Sequence, residues 1–226
     1  MIHLKDERKG AILFDFDGVL VDNEPIHLKM FQKVLSEEGV RLTRKDYYTK
    51  YLGMDDRGCL TTAFKDYRRP ASPSLVKDLI RRKSRYYQSY IRRHLKFLPG
   101  VKTFIKKANE KHYLAIVSGA LRGEILLILR LGGLKKFFPI IVSAEDVRHG
   151  KPNPEGYRLG LKKLCRRYRT TLRPADCLVI EDSIWGIEAA HRAGMKCLAV
   201  TSSYPAKKLK KADRVVSRLK WDQWPA

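Results

Sequence analysis

Ala11-Ile12-Leu13-Phe14-Asp15-Phe16-Asp17-Gly18-Val19-Leu20-Val21-Asp22 is the stretch that decides the fold. Four apolar residues run straight into two carboxylates one residue apart, followed by a glycine. A short bounded apolar run reads as a strand buried on both faces. Asp15 and Asp17 then stand at its carboxyl end, where open α/β sheets bind their ligands. Their two-residue spacing puts both side chains on one side of an extended backbone, and Gly18 permits a tight reversal beyond them. Two acids this close repel, so their ionised forms require a cation or a nearby lysine.

Downstream of this stretch the pattern first turns helical. Pro25 suits a first helical turn, and Ile26, Met30, Phe31, Val34 and Leu35 recur at helical spacing up to Gly39. Thr43 is placed to cap a helix toward Lys50. A glycine-bracketed loop is expected over 51–58, a helix over 59–68, a break at Arg69-Pro70-Ala71-Ser72-Pro73, and a long basic helix over 74–95. Nothing between 25 and 95 reads as a buried strand, so this region is expected to be a helical unit inserted into the main domain. From Leu98-Pro99-Gly100 onward strands and helices alternate. Strands are expected over 113–117, 140–143, 177–180, 197–200 and 214–216, with helices over 101–111, 121–131, 154–168 and 183–193. Such alternation implies parallel pairing with right-handed crossovers. The expected fold is α/β: a doubly wound parallel (Rossmann-like) sheet core over 1–24 and 97–226, with an inserted small helical cap domain over 25–96.

The 226 residues are 44% hydrophobic, ordinary for a globular chain. No apolar run approaches the roughly 20 residues needed to span a bilayer, and the stretch from Met1 to Gly10 has no leader-like apolar segment. Cys59, Cys165, Cys177 and Cys197 show no metal-ligand spacing and read as reduced structural thiols, which points to a cytoplasmic protein. A net charge of +23, from 47 Lys and Arg against 24 Asp and Glu, is the oddest bulk property. The basic residues are spread out, as in Arg81-Arg82-Lys83, Arg92-Arg93, Lys162-Lys163 and Lys210-Lys211, and no nucleic-acid motif focuses them. A solvated basic surface that attracts small anionic substrates is the expectation. A nucleic-acid-binding protein reusing the scaffold is the alternative of another class.

Three later polar spots lie at or just past the ends of expected strands: Ser118-Gly119, Lys151 and Glu181-Asp182. In a parallel sheet all such ends share one edge, so these groups can converge on Asp15 and Asp17. Each alone is ordinary: a turn, a solvated lysine, an acidic helix start. Their ordered combination is what carries the inference.

That combination resembles the haloacid dehalogenase (HAD) superfamily. Asp15 to Asp22 looks like its first motif, and Ser118, Lys151-Pro152 and Ile180-Glu181-Asp182-Ser183 like its second, third and fourth. The inserted unit resembles the helical cap of the subgroup holding phosphoglycolate-phosphatase-like enzymes and β-phosphoglucomutase. The resemblance implies that Asp15 attacks phosphorus to form an aspartyl-phosphate, and that Asp17 serves the leaving group and then the hydrolytic water as acid and base. It implies Mg²⁺ held by the Asp15 carboxylate, the Asp17 backbone carbonyl and Asp182, with Glu181 close by directly or through water. Ser118, the backbone at Gly119, and Lys151 would hold the phosphoryl oxygens. His27 matches a histidine of the capped subgroup, and Gly53 sits in the cap loop that faces the substrate.

Within the family, Asp17 argues against dehalogenase and phosphonate-cleaving chemistry, whose members lack the second acid. Sugar-phosphate mutases of the β-phosphoglucomutase kind carry Lys-Gly-x-Ser-Arg in the cap loop to grip a second phosphate. Here Leu52-Gly53-Met54-Asp55-Asp56 lacks both cations and supplies two acids. The expected function is a Mg²⁺-dependent phosphatase acting on a small phosphorylated metabolite, as a monomer or weak homodimer, with no membrane partner. Sugar-phosphate mutase is the alternative reading.

Overall fold

The computed structural model describes residues 8 and 10–221. Six strands form one sheet: β1 (Ala11–Phe14), β2 (Tyr113–Val117), β3 (Ile140–Val142), β4 (Cys177–Glu181), β5 (Lys196–Val200) and β6 (Arg214–Val216). All pairings are parallel, in the order β3-β2-β1-β4-β5-β6. The chain winds outward from β1 to β3 and then returns to the other side of β1, so the topology reverses between β1 and β4. Phe14 is level with Ile116 of β2 and Ile180 of β4, which brings the residues just past all three strands to one edge.

Eight α-helices accompany the sheet among the described residues: α1 (Glu24–Ser36), α2 (Arg44–Asp46), α3 (Asp56–Asp66), α4 (Pro73–His94), α5 (Val101–Lys111), α6 (Arg122–Leu131), α7 (Glu155–Tyr168) and α8 (Ile184–Arg192). Alternation along β1 sorts them into layers. Ile12 and Phe14 pack with Phe104 of α5 and Ile125 and Ile128 of α6 on one face. Ala11 and Leu13 pack with Leu161 and Leu164 of α7 and Ile187 and Ala190 of α8 on the other. A third core, formed by Phe31, Val34, Leu60, Phe64, Val76 and Leu79, belongs to α1, α3 and α4. Met30 of α1 and Tyr87 and Ile91 of α4 leave that cluster and join the core of the sheet, anchoring the helical cap to it. The two strands of chain entering and leaving the cap are clipped together: Asp22 N–H donates to Lys96 O (3.1 Å) and Leu98 N–H to Leu20 O (3.0 Å). Among the described residues no helix is long and apolar enough to cross a membrane, and all four cysteines are free.

Local departures from the sequence reading have physical causes. Thr43 does cap a helix, its hydroxyl accepting from Asp46 N–H (3.0 Å). That helix ends after one turn, however, and passes into a π-turn over Tyr47–Tyr51. The wider turn buries both Tyr47 and Tyr51, whose hydroxyls donate to Glu24 (2.7 Å) and Asp66 (2.8 Å). The next helix starts at Asp56 rather than at 59, because Asp55 Oδ1 accepts from Gly58 N–H (2.7 Å) and nucleates it. Trp221 is half-buried and places its ring 5.5 Å from Phe104. Trp224 and the first seven residues lie outside the described residues.

Candidate active site

Asp15 follows β1 directly, and its N–H donates to Ile180 O (2.9 Å), which extends the β1–β4 pairing to the first carboxylate. Gly18 then turns the chain with φ +71°. A Cβ there would overlap the Asp182 carboxylate, so the two segments meet only because the residue is glycine. The Lys151 ammonium lies between Asp15 Oδ1 and Glu181 Oε1, 2.5 Å from each. Ser118 is buried past β2, its hydroxyl accepting from Ala120 N–H (3.0 Å), and Gly119 stays exposed beside it. Asp15, Asp17, Ser118, Gly119, Lys151, Asp182, His27 and Gly53 all line one cavity of about 260 Å³.

Asp15, Glu181 and Asp182 are buried, and each offers an oxygen within 4.8 Å of the others. Such crowding has an electrostatic cost. Burial and the Glu181 carboxylate push the Asp15 acid up to about 8, against the pull of Lys151. Burial, then Glu181 and Asp15, likewise raise Asp182 well above the carboxylate range. One lysine does not balance three buried carboxylates. A divalent cation would, and an all-oxygen donor set suits a hard ion such as Mg²⁺. The three carboxylates are not equivalent, however. Glu181 Oε1 accepts from Lys151 and from Tyr157 OH (2.8 Å). Its Oε2 accepts from Asp182 N–H (3.0 Å), Ser183 N–H (3.0 Å) and Ser183 OH (2.8 Å). Five donors saturate that carboxylate and hold it as an organiser of the site, leaving Asp15 and Asp182 with oxygens to offer.

Asp17 stands in a different environment. Its Oδ1 accepts from the Asn23 side-chain amide (2.5 Å) and lies 3.6 Å from His27 Nε2. His27 is buried, stacked on Tyr87 at 4.6 Å, and its Nδ1 is 2.9 Å from Lys83 Nζ. Lys83 has no exposed surface and donates to Asp56 (2.5 Å). Its place in the basic run Arg81-Arg82-Lys83 suggests a solvated side chain, but helical periodicity turns it onto the buried face of α4 with Val76, Leu79 and Tyr87. Burial works against ionising Asp17, yet His27, Asn23 and Lys83 together hold its acid below the ordinary range. His27 is raised despite burial and Lys83, because Asp17 and Glu24 face it.

The sequence reading did not single out Asn23, Tyr157, Lys83 or Ser203. Ser203 donates to Asp182 from the loop past β5. The rule that placed Ser118 and Glu181 at the sheet edge extends to that loop, so Ser203 could have been found. Tyr157 reaches Glu181 from α7 and carries no such signal.

An acid pair at a topological switch point, a lysine bridging two acids from separate strands, and a helical cap over the resulting cavity define a capped enzyme site on a doubly wound sheet. The chain belongs to the haloacid dehalogenase-like hydrolases, whose family model matches residues 12–200. It is 29% identical over 188 residues to a phosphorylated carbohydrates phosphatase of Thermotoga maritima, covering 82% of each chain. It is 27% identical over 194 residues to a fructose-1-phosphate phosphatase of Escherichia coli, covering 86% of this chain and 97% of that one. A solved β-phosphoglucomutase from Clostridium difficile shares the fold with a TM-score of 0.83 at 24% identity, over 94% of both chains.

Proposed function

We propose that the chain is a Mg²⁺-dependent phosphatase that hydrolyses a small phosphate monoester through an aspartyl-phosphate on Asp15. The observation that carries this reading is the Lys151 ammonium held 2.5 Å from Asp15 within a cluster of buried carboxylates. Asp15 Oδ attacks phosphorus and the bond from phosphorus to the leaving oxygen breaks, while Asp17 gives that oxygen its proton. A bound phosphate dianion beside Asp17 disfavours its anion and so readies it to carry that proton. Water then attacks phosphorus and yields a proton to Asp17, and the bond to Asp15 breaks to restore the carboxylate. Ser118, the backbone at Gly119, and Lys151 orient the phosphoryl oxygens. Asp15, the Asp17 carbonyl and Asp182 would hold Mg²⁺, which neutralises charge on the phosphoryl group. Glu181 fixes Lys151 and the turn bearing Asp182. His27 holds Asp17 in place, and Gly53 lines the cap side.

The likeness to named phosphatases of phosphorylated sugars supports the substrate class. A mutase must grip a second phosphate, and the cap loop does not supply the required cations at their positions: Leu52 is buried, Asp56 is occupied with Lys83, and Arg57, one position displaced, is exposed and does not line the cavity. Phosphate release from a panel of monophosphates, with and without Mg²⁺, tests the reading. Turnover is expected only with the metal, and Asp15→Asn is expected to abolish it while leaving the fold intact. Unchanged turnover in Asp15→Asn would overturn the nucleophile assignment.

A further inference from the structure

The cavity has two poles. Beneath lies the phosphoryl pole, with Asp15, Ser118, Gly119 and Lys151. Above it the cap contributes Glu24, Asp55 and Asp56. The carboxylates of the cap pole are held in place. Asp55 Oδ1 is committed to Gly58 N–H, while Oδ2 turns toward the core: a side chain at Gly150 would come within 3.3 Å of it, and one at Gly119 within 3.4 Å of Asp55 Cβ. Asp55 therefore stands over the phosphoryl-holding loop. Glu24 is oriented by Tyr47 OH (2.7 Å). Asp56 gives Oδ1 to Lys83, while its Oδ2 is buried and has no hydrogen-bond partner among the described residues. Among the described residues that line the cavity, Lys151 is the one lysine or arginine, and it belongs to the phosphoryl pole. Lys83 is sealed beneath the surface and does not reach a ligand.

We propose that this pole selects the leaving group. The substrate is a monophosphate whose remainder presents hydrogen-bond donors, hydroxyls or an ammonium, and carries no second phosphate or carboxylate. The proposal rests on the phosphatase reading above and narrows it. Ionised carboxylates accept hydrogen bonds and cannot donate them, so hydroxyls and ammonium groups match Glu24 and Asp55, while Asp56 is committed to Lys83. The two imidazoles that line the cavity are engaged elsewhere, His27 by Asp17 (3.6 Å) and His149 by Glu155 (3.3 Å), so a second anion would meet the like charge of the cap pole, and such juxtaposition works as a rejection device.

The test compares substrates matched in carbon skeleton. Glucose 6-phosphate and glucosamine 6-phosphate are set against 6-phosphogluconate, and fructose 6-phosphate against fructose 1,6-bisphosphate. p-Nitrophenyl phosphate serves as the reference for the hydrolytic reaction itself. kcat/KM is expected to favour the members without a second anion by about tenfold or more. Asp55→Asn and Glu24→Gln keep size and remove charge, and each is expected to narrow that ratio. Equal or greater kcat/KM for the doubly anionic members overturns the proposal, as does a ratio that neither substitution moves. If p-nitrophenyl phosphate and every other ester resist hydrolysis, the phosphatase reading falls on its own. The same ligands are then ranked by their thermal stabilisation of the Asp15→Asn protein, where stronger stabilisation by the doubly anionic members overturns the leaving-group assignment.

Discussion

Lys83→Met isolates the charge of the buried lysine from its packing. The methionine keeps an unbranched stem of similar length beside Phe31, whose ring centroid lies 4.6 Å from the ammonium, and Tyr87. What disappears is the cation that Asp56 contacts at 2.5 Å; the carboxylates of Asp56 and of Glu124, buried on α6, favour its protonated form against complete burial. Removing one partner of a buried pair costs about 3–5 kcal/mol, because the remaining carboxylate is left uncompensated. A solvated pair would cost at most about 1 kcal/mol. For a chain of this size each kcal/mol lowers Tm by about 2–4 °C, so the expected fall is about 6–20 °C. A second substitution identifies the cause: in Lys83→Met, Asp56→Asn the orphaned charge is gone, and at least about 1 kcal/mol should return. The pH dependence has a definite sign. Burial already raises Glu124 to about 7, against the pull of Lys83. Without that pull, Glu124 rises further. Carboxyls raised in the folded state favour folding when protonated, so the deficit of the variant should shrink as pH falls from 8 toward 5.5 and grow as it climbs back. Calorimetric melts of the three proteins at both pH values are the assay. A Tm loss under about 2 °C, or no recovery with Asp56→Asn, would refute the description of Lys83 as the buried counter-ion of the cap.

Mg²⁺ at about one hundred times its Kd should stabilise the folded chain by about 2.7 kcal/mol, a rise of about 5–11 °C in Tm, and Asp182→Asn should lose most of it. EDTA is the control, and an unchanged melt would remove the metal from the site. Gly186→Ala sets a Cβ into the Glu181 carboxylate, so it should cost about 1–3 kcal/mol by overpacking and lower phosphate release by displacing Lys151. Parallel melts and rates check it, and a silent substitution would show that Glu181 does not organise the site. kcat/KM for a phosphomonoester should fall as salt rises from about 0.05 to 0.3 M while kcat holds, because screening weakens attraction of the anion to a chain of net charge +23 without reaching the closed site.

The fold was legible because the local signals agreed. Ala11 to Phe14 is a bounded apolar run, and the structure buries every residue of it against helices on both faces. The alternation of strands and helices after Gly100 carries the doubly wound order with it. The carboxyl-end rule located the edge on which Asp15, Ser118, Lys151 and Asp182 meet. What escaped the reading lay in side-chain direction. Lys83 sits in a run of cations that looks solvated, and only its spacing from Val76, Leu79 and Tyr87 reveals the buried face. Asp55 and Asp56 look alike in sequence, yet one caps a helix while leaning over Gly119 and the other is the counter-ion of a hidden lysine. Tyr157 reaches Glu181 across the sheet edge from a helix, a contact that depends on packing and has no periodic signature.

The basic exterior and the acidic interior bear on one electrostatic problem. Among the described residues six carboxylates line the cavity, those of Asp15, Asp17, Glu24, Asp55, Asp56 and Asp182, against the ammonium of Lys151 and the imidazoles of His27 and His149. A phosphate dianion brought to Asp15 would add charge where burial and Glu181 already push that acid up to about 8. The surface excess of lysine and arginine does not relieve this locally, because exposed charges are screened within about 8 Å at physiological salt. Their effect is to raise the concentration of anions near the entrance. Inside, Lys151 is already shared between Asp15 and Glu181, so it offsets only part of the crowding. Charge balance at the phosphoryl pole therefore calls for a divalent cation together with Lys151. At the cap pole His27 is already engaged by Asp17, which leaves hydrogen-bond donors on the leaving group as the complement to Glu24 and Asp55.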